Sequence, residues 1–285
     1  MDVELNGRCS ADGVAKLFAP AMSEADGLLQ LSLGEDCFLY PSAVAWLTTQ
    51  LCRWQHDGNE LAVDVSKNLQ VGAYLTRMDL FAHLGLDGNP IGERRTAGGR
   101  FLPIKAIDDE DSVYDVVDAI LDLLMMHFDN AREILPAVEW ALNEITDNIV
   151  IHSETPSPGH VFAQFYPSKD ILSVAITDAG RGLRQTLSEA HEVDSDKRAL
   201  ELAMQRGITR GVGQGNGIAG TRQILQPASL TRFVARHSRA AWTLDDDDRR
   251  DAAHRGGRAT VRERFSASVN RHLRSRSRTF VRDAG

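Results

Sequence analysis

The chain has 285 residues and a formal net charge of −8. That length permits one large or two ordinary domains, no apolar run approaches the 18 or so residues a membrane helix needs, and the acidic start Met-Asp-Val-Glu-Leu-Asn has no signal-peptide core. Cys9, Cys37 and Cys52 are widely spaced, without CxxC or His-paired zinc spacing, which suits a reducing compartment and a soluble, cytoplasmic protein.

In chain order, Leu28–Leu33 is a short apolar strand, and 41–54 is an amphipathic helix opened by Pro41 and Ser42. A second strand at 61–65 and a second helix at 71–84 complete an alternating pattern that predicts a small α/β sheet over residues 1–88. Residues 89–100, rich in Gly and turn dipeptides, read as a linker. Phe101–Ile107 is the strand that opens a second domain. The helix at 112–127 follows, with Val113, Val116, Val117, Ile120, Leu123 and Leu124 on its buried side.

The next helix carries two patterns. Leu135, Val138, Leu142, Ile145 and Ile149 recur at spacings of three and four and form a core stripe. Glu144, Asn148 and His152 recur at four and stack along another face. A carboxylate, a carboxamide and an imidazole in line can hold a hydrated Mg²⁺ through oxygen and place a base beside it, although the same spacing also describes an ordinary solvated face.

Ile171–Thr177 alternates as a strand, with Leu172, Val174 and Ile176 on one side, and ends in Asp178-Ala179-Gly180-Arg181-Gly182. A carboxylate at a strand end can accept from an exocyclic amine of a base, and a glycine lets a flat ring approach the backbone. A plain turn is the alternative reading. Residues 211–220 then alternate glycines at 211, 213, 215 and 217 before a helix expected at 218–226. A glycine loop feeding a helix N-terminus can cradle phosphate. No Lys follows in the manner of a nucleoside-triphosphatase loop, and the dinucleotide fingerprint does not fit.

In order and spacing these three segments resemble the ATP-binding domain shared by DNA gyrase, heat-shock chaperones, sensor histidine kinases and mismatch-repair ATPases, the GHKL superfamily. The compact form in bacterial anti-sigma-factor serine kinases fits best. The asparagine box matches at Asn143-Glu144, Asn148 and His152, the first glycine box at Asp178, Gly180 and Gly182, and the second at Gly213, Gly215 and Gly217. The resemblance covers roughly residues 110–226. It implies a two-layer α/β sandwich of the Bergerat type, with helices on one sheet face, over residues 101–228. It further implies ATP and Mg²⁺ as cofactors, Asn148 as the metal ligand, Glu144 as the general base, and Asp178 as the reader of the adenine amine. The glycines, with a short lid between residues 183 and 211, would close on the phosphates. For His152 the resemblance implies a core or supporting place. The N-terminal pattern weakly resembles the STAS-like modules that partner such kinases.

The net charge hides an asymmetry. Residues 227–285 hold fourteen Arg, no Lys, six Asp and one Glu, so 14 − 7 = +7; residues 1–226 hold 18 Lys plus Arg against 33 Asp plus Glu, so 18 − 33 = −15. An acidic body disfavours a nucleic-acid partner. The tail, 229–285, reads as an Arg-rich disordered segment, a basic arm, or the product of a shifted reading frame. The functional expectation is an ATP-binding regulatory protein of the anti-sigma serine-kinase type, acting on a protein partner such as a sigma factor or its antagonist, with a homodimer allowed and no membrane role. A non-catalytic nucleotide-dependent switch or scaffold is the alternative, and a soluble histidine kinase core ranks third.

Overall fold

Leu29, Leu31 and Leu33 alternate inward along β3 (Leu28–Leu33), each almost fully buried, and Val3 and Leu5 on one neighbouring strand follow the same rule. In this computed structural model, which describes residues 1–20, 27–86, 98–129, 131–152, 154–155, 157–203, 232–236 and 241–245, β3 is the centre of a three-stranded parallel sheet. It is flanked by β1 (Asp2–Leu5) and β5 (Glu60–Asp64). Parallel pairing requires crossovers. The first runs through β2 (Arg8–Cys9) and α1 (Ala11–Phe18), which Ser10 caps by accepting from the Gly13 N–H. The second runs through β4 (Phe38–Leu39) and α2 (Pro41–His56). β2 and β4 form their own two-stranded parallel pair. Strands and helices thus alternate through this region, with β1, β2, β4 and α1 as elements additional to those predicted.

The single helix expected at 71–84 is two helices. Asn68 caps α3 (Leu69–Arg77) through the Val71 N–H and also donates to the carbonyls of Gly34, Glu35 and Cys37. Asp79, at φ 65°, breaks the path before α4 (Leu80–His83). The break leaves the Met78 carbonyl to accept from the Ile104 N–H at 3.1 Å.

Ile104 lies in β6 (Phe101–Ile107), at a register shift between Leu102 and Lys105 that includes Pro103. Pro cannot donate to a ladder, and an edge strand with a bulge accommodates it. The bulge also docks the N-terminal unit, since the Ile104 carbonyl lies 3.0 Å from His83 Nε2. β6 pairs with β7 (Gly159–Tyr166) and β7 with β8 (Ile171–Thr177), both antiparallel. The sheet order is β6-β7-β8-β10-β9, where β9 is Arg232–Arg236 and β10 is Ala241–Asp245. This hairpin lies inside residues 229–285, the segment read as the tail. Phe233 alternates with Ala235 and Trp242 with Leu244 within a heavily charged stretch, and Trp242 pairs opposite Ile176. The rest of the tail lies outside the described residues, as do the linker at 89–97 and the helix expected at 218–226.

Two helices cover one face of this sheet. α5 (Glu110–His127) starts at a capping box in which Asp109 Oδ1 accepts from the Ser112 N–H and Ser112 Oγ accepts from the Asp109 N–H. Its expected stripe, Val113 to Leu124, is buried. α6 (Ala131–His152) buries Val138, Leu142, Ile145 and Ile149 against Val161, Ala163, Val174 and Ile176; Leu135 is only partly buried. The opposite face, which a two-layer sandwich leaves open, is covered by α2. Phe162, Ala175 and Ile104 belong to the same core as Val44, Leu47, Leu51 and the leucines of β3. α2 is therefore buried almost all round, as a helix between two sheets must be. The described residues thus form a mixed α/β structure. No helix among them is long and apolar enough to cross a membrane.

Candidate functional site

Glu144 and Asn148 are both half-buried on α6, one turn apart. Asn148 Nδ2 donates to the Glu144 carbonyl at 2.6 Å. That bond fixes the amide plane and leaves Oδ1, the atom suited to a hard cation, as the group the side chain presents. The side chain of His152, the last residue of α6, lies outside the described residues.

β8 leads into the loop 178–182, where the first glycine box is expected. Its final residue, Thr177, pairs opposite His160 near the start of β7. Asp178 is half-buried, and its Oδ1 accepts from the Gly180 N–H at 2.8 Å, which folds the loop back on the carboxylate. Gly182 has φ 74°, a left-handed conformation that costs a Cβ-bearing residue energy, and it opens the short α7 (Gly182–Leu187).

Gly159 joins the two boxes. A Cβ built on it would lie 2.7 Å from Ile149 Cγ2 and 3.0 Å from the Thr177 carbonyl oxygen. Only a bare Cα lets β7 begin in that gap, so Ile149 of α6 and Thr177 of β8 are separated by little more than one glycine. Their sequence neighbours are Asn148 and Asp178. The asparagine box and the first glycine box therefore stand at one end of the sheet.

Arg181 ties the same end together. Its Nη1 lies 3.2 Å from Glu154 Oε2, just past α6, and 2.7 Å from Glu189 Oε1, just past α7. The guanidinium is largely buried, and its Nε and Nη2 make no hydrogen bond among the described residues. Beyond it, α7 packs on α8 (Asp196–Ala203) through Leu187, Ala199 and Leu202, and Arg184 donates to the Asp194 carbonyl at 2.8 Å. These helices fill the first part of the expected lid. Gly213, Gly215 and Gly217 lie outside the described residues.

On the α2 side, a buried polar cluster backs this end of the sheet. Thr49 Oγ1 lies 3.0 Å from His160 Nδ1 and 2.6 Å from Thr177 Oγ1. Cys52 Sγ lies 4.0 Å from His160 Nε2, and the His83 ring meets that of His160 edge-on at 5.2 Å. Burial, with a smaller contribution from His83, drives the His160 pKa down to about 3, so the ring is neutral and serves as a hydrogen-bonding group. Burial pushes the Cys52 thiol up to about 11, which leaves it unreactive at neutral pH.

The motifs alone did not point to Arg53, Thr49, Arg181 or His160. One signal for the first two was present: α2 is apolar on nearly every side yet carries Thr48, Thr49 and Gln50 mid-helix, which marks a helix buried between layers with polar work to do. Among the described residues there is no group of three or more His, Cys, Asp or Glu suited to a metal. Comparison with protein-family models, with curated proteins and with solved structures finds no match to this chain.

Proposed function

We propose that the chain binds Mg-ATP where the C-terminal half of α6 meets the loop 178–182, and that it is a regulatory ATP-binding protein built on a Bergerat-type sandwich. The anti-sigma-factor serine kinases are its nearest functional type. The observation that supports this reading is the Gly159 contact, which brings Ile149 of α6, the residue after Asn148, against Thr177 of β8, the residue before Asp178. Asn148 Oδ1 would hold the cation, its amide already oriented by the Glu144 carbonyl. Asp178, braced by the Gly180 N–H, would accept from the adenine amine, with buried Gly180 offering a flat approach. Mg²⁺, when bound, supplies charge neutralisation across the phosphate oxygens. Glu144 would take the proton from an attacking hydroxyl, either water or a serine of a protein partner.

The non-catalytic switch reading keeps the same site without Glu144 chemistry. It is favoured by the shared core of the N-terminal unit and the sheet, through which an ordered lid would be felt at a distance. The deciding experiment is calorimetry with Mg-ATP and Mg-ADP on the full chain and on Asp178→Asn. Saturable binding lost in Asp178→Asn supports the site; no binding by folded wild-type protein overturns it. Turnover that Glu144→Ala abolishes then selects the catalytic reading over the switch.

A further inference from the structure

Ala45, Thr49 and Arg53 recur every fourth residue and so lie in one row along α2. That row runs beside the end of β8. Thr177 Oγ1 donates to the Ala45 carbonyl at 3.0 Å and lies 2.6 Å from Thr49 Oγ1. Two residues on, the Ala179 carbonyl accepts from Arg53 Nη1 at 2.6 Å. Asp178 is therefore bracketed: both of its sequence neighbours are held by the same helix of the N-terminal unit. A charged donor on a backbone carbonyl is among the stronger hydrogen bonds available to a loop, and Ala179 itself is buried. Arg53 is the last link of the row and the one that reaches the loop, while its other contact, Asp57 Oδ2 at 3.6 Å, is long and half-exposed.

We infer that Arg53 is a positioning residue for the loop 178–182, so that the N-terminal unit, through α2, sets the conformation of the nucleotide site. In its nucleotide consequence this rests on the ATP-binding reading above; in its structural content it stands without it. By linkage, whatever shifts α2 shifts nucleotide affinity, and nucleotide reports back to α2 by the same factor.

The test uses the full chain with Arg53→Met, which keeps length and loses the donor, and Arg53→Lys, which keeps a charged donor. Hydrogen exchange is followed without nucleotide over 178–183, and Mg-ATP binding by calorimetry. In Arg53→Met the loop is expected to exchange faster while β7 and β8 stay protected, and Mg-ATP affinity is expected to fall roughly tenfold, the loss of about 1.4 kcal/mol. Arg53→Lys is expected to recover much of both. Unchanged loop exchange in Arg53→Met overturns the inference, as does equal acceleration throughout the sheet, which would mark a stabilising contact only. If wild-type protein binds no Mg-ATP, the nucleotide reading fails by itself and loop exchange still decides the place of Arg53.

Discussion

The hydroxyls of Thr49 and Thr177 lie 2.6 Å apart in the seam between α2 and β8, and both lie within hydrogen-bond reach of the Ala45 carbonyl, at 3.1 and 3.0 Å. Both residues are fully buried. Valine matches threonine in shape and removes only the hydroxyl, so Thr49→Val and Thr177→Val each delete buried hydrogen bonds, worth about 0.5–1.5 kcal/mol apiece. Thr49→Val should cost more, because it also leaves His160 Nδ1 without its 3.0 Å partner. The double variant should lose less than the sum, since the pair shares one bond. Urea denaturation midpoints test this; strict additivity would show that the two hydroxyls are not coupled.

Stability should fall in mild acid because of His160. An unfolded histidine titrates near 6.5, whereas in the fold the ring resists protonation until about 3, first through burial and then through His83. The unfolded chain thus binds more protons between those limits, and stability must decrease as pH drops through that window. The contribution is complete above about 6.5 and is lost progressively toward about 3. His160→Asn, whose side-chain amide reaches about as far as Nδ1, should flatten this slope between pH 6.5 and 4. Asp109 and Asp64, held low by hydrogen bonds to Ser112 and Ser66, contribute equally to both proteins and cancel in the difference. Parallel slopes for the two proteins would remove His160 as the cause.

The elements whose side chains face a single core were legible from sequence. α5 and α6 bury nearly all the residues their periodicity marks, because each presents one apolar stripe to one layer, and Val174 and Ile176 of β8 join that core even though the other face of β8 packs on α2. The N-terminal helix pattern was legible as far as Arg77, but nothing local announces that Asp79 takes a left-handed turn so that Met78 can meet Ile104. β7 escaped notice because it is buried on both faces and shows no alternation. The approach of Ile149 to Thr177 depends on Gly159, a residue in neither expected box. The contact of α2 with the loop depends on a long-range packing choice that spacing alone does not encode.

Gly159→Ala should be a severe substitution for one methyl. The added carbon meets Ile149 Cγ2 at 2.7 Å and a backbone carbonyl at 3.0 Å, and the carbonyl cannot rotate away. Overpacking of this kind typically costs about 1–3 kcal/mol, and here relief requires α6 to move off β8. Nucleotide affinity should therefore drop more than stability does. Trimming Ile149 to Ala in the same chain should restore part of the binding, although the Thr177 carbonyl still crowds the site. Thermal unfolding alongside calorimetry separates the two effects; wild-type affinity in Gly159→Ala would show that the gap between α6 and β8 does not shape the site.

Asn148→Ala should weaken Mg-ATP binding by tenfold or more, while ATP measured in excess chelator changes little, because the carboxamide would act through the cation. Loss of its 2.6 Å bond to the Glu144 carbonyl is a half-exposed helix contact worth no more than about 1 kcal/mol. The fold should therefore survive, as circular dichroism would confirm. An equal loss with and without Mg²⁺ would place Asn148 on the nucleotide itself and not on the metal.

Arg181→Met separates local from global order. Arg181 Nη1 bridges Glu154 and Glu189, but those carboxylates are 45% and 40% exposed, so solvent screening leaves each pair modest. The substitution also removes Nε and Nη2, two buried donors that make no hydrogen bond among the described residues, and relief of that burden offsets the lost pairs. Global stability should change by no more than about 1 kcal/mol. The connection between the end of α6 and the end of α7 is nevertheless gone, and α7 and α8 hold each other mainly through a small apolar contact of Leu187, Ala199 and Leu202. Limited proteolysis within 182–203 should therefore accelerate several-fold while the denaturation midpoint barely moves. A large midpoint shift with unchanged cleavage would make Arg181 part of the main core, and α7 and α8 would then owe their order to some other contact.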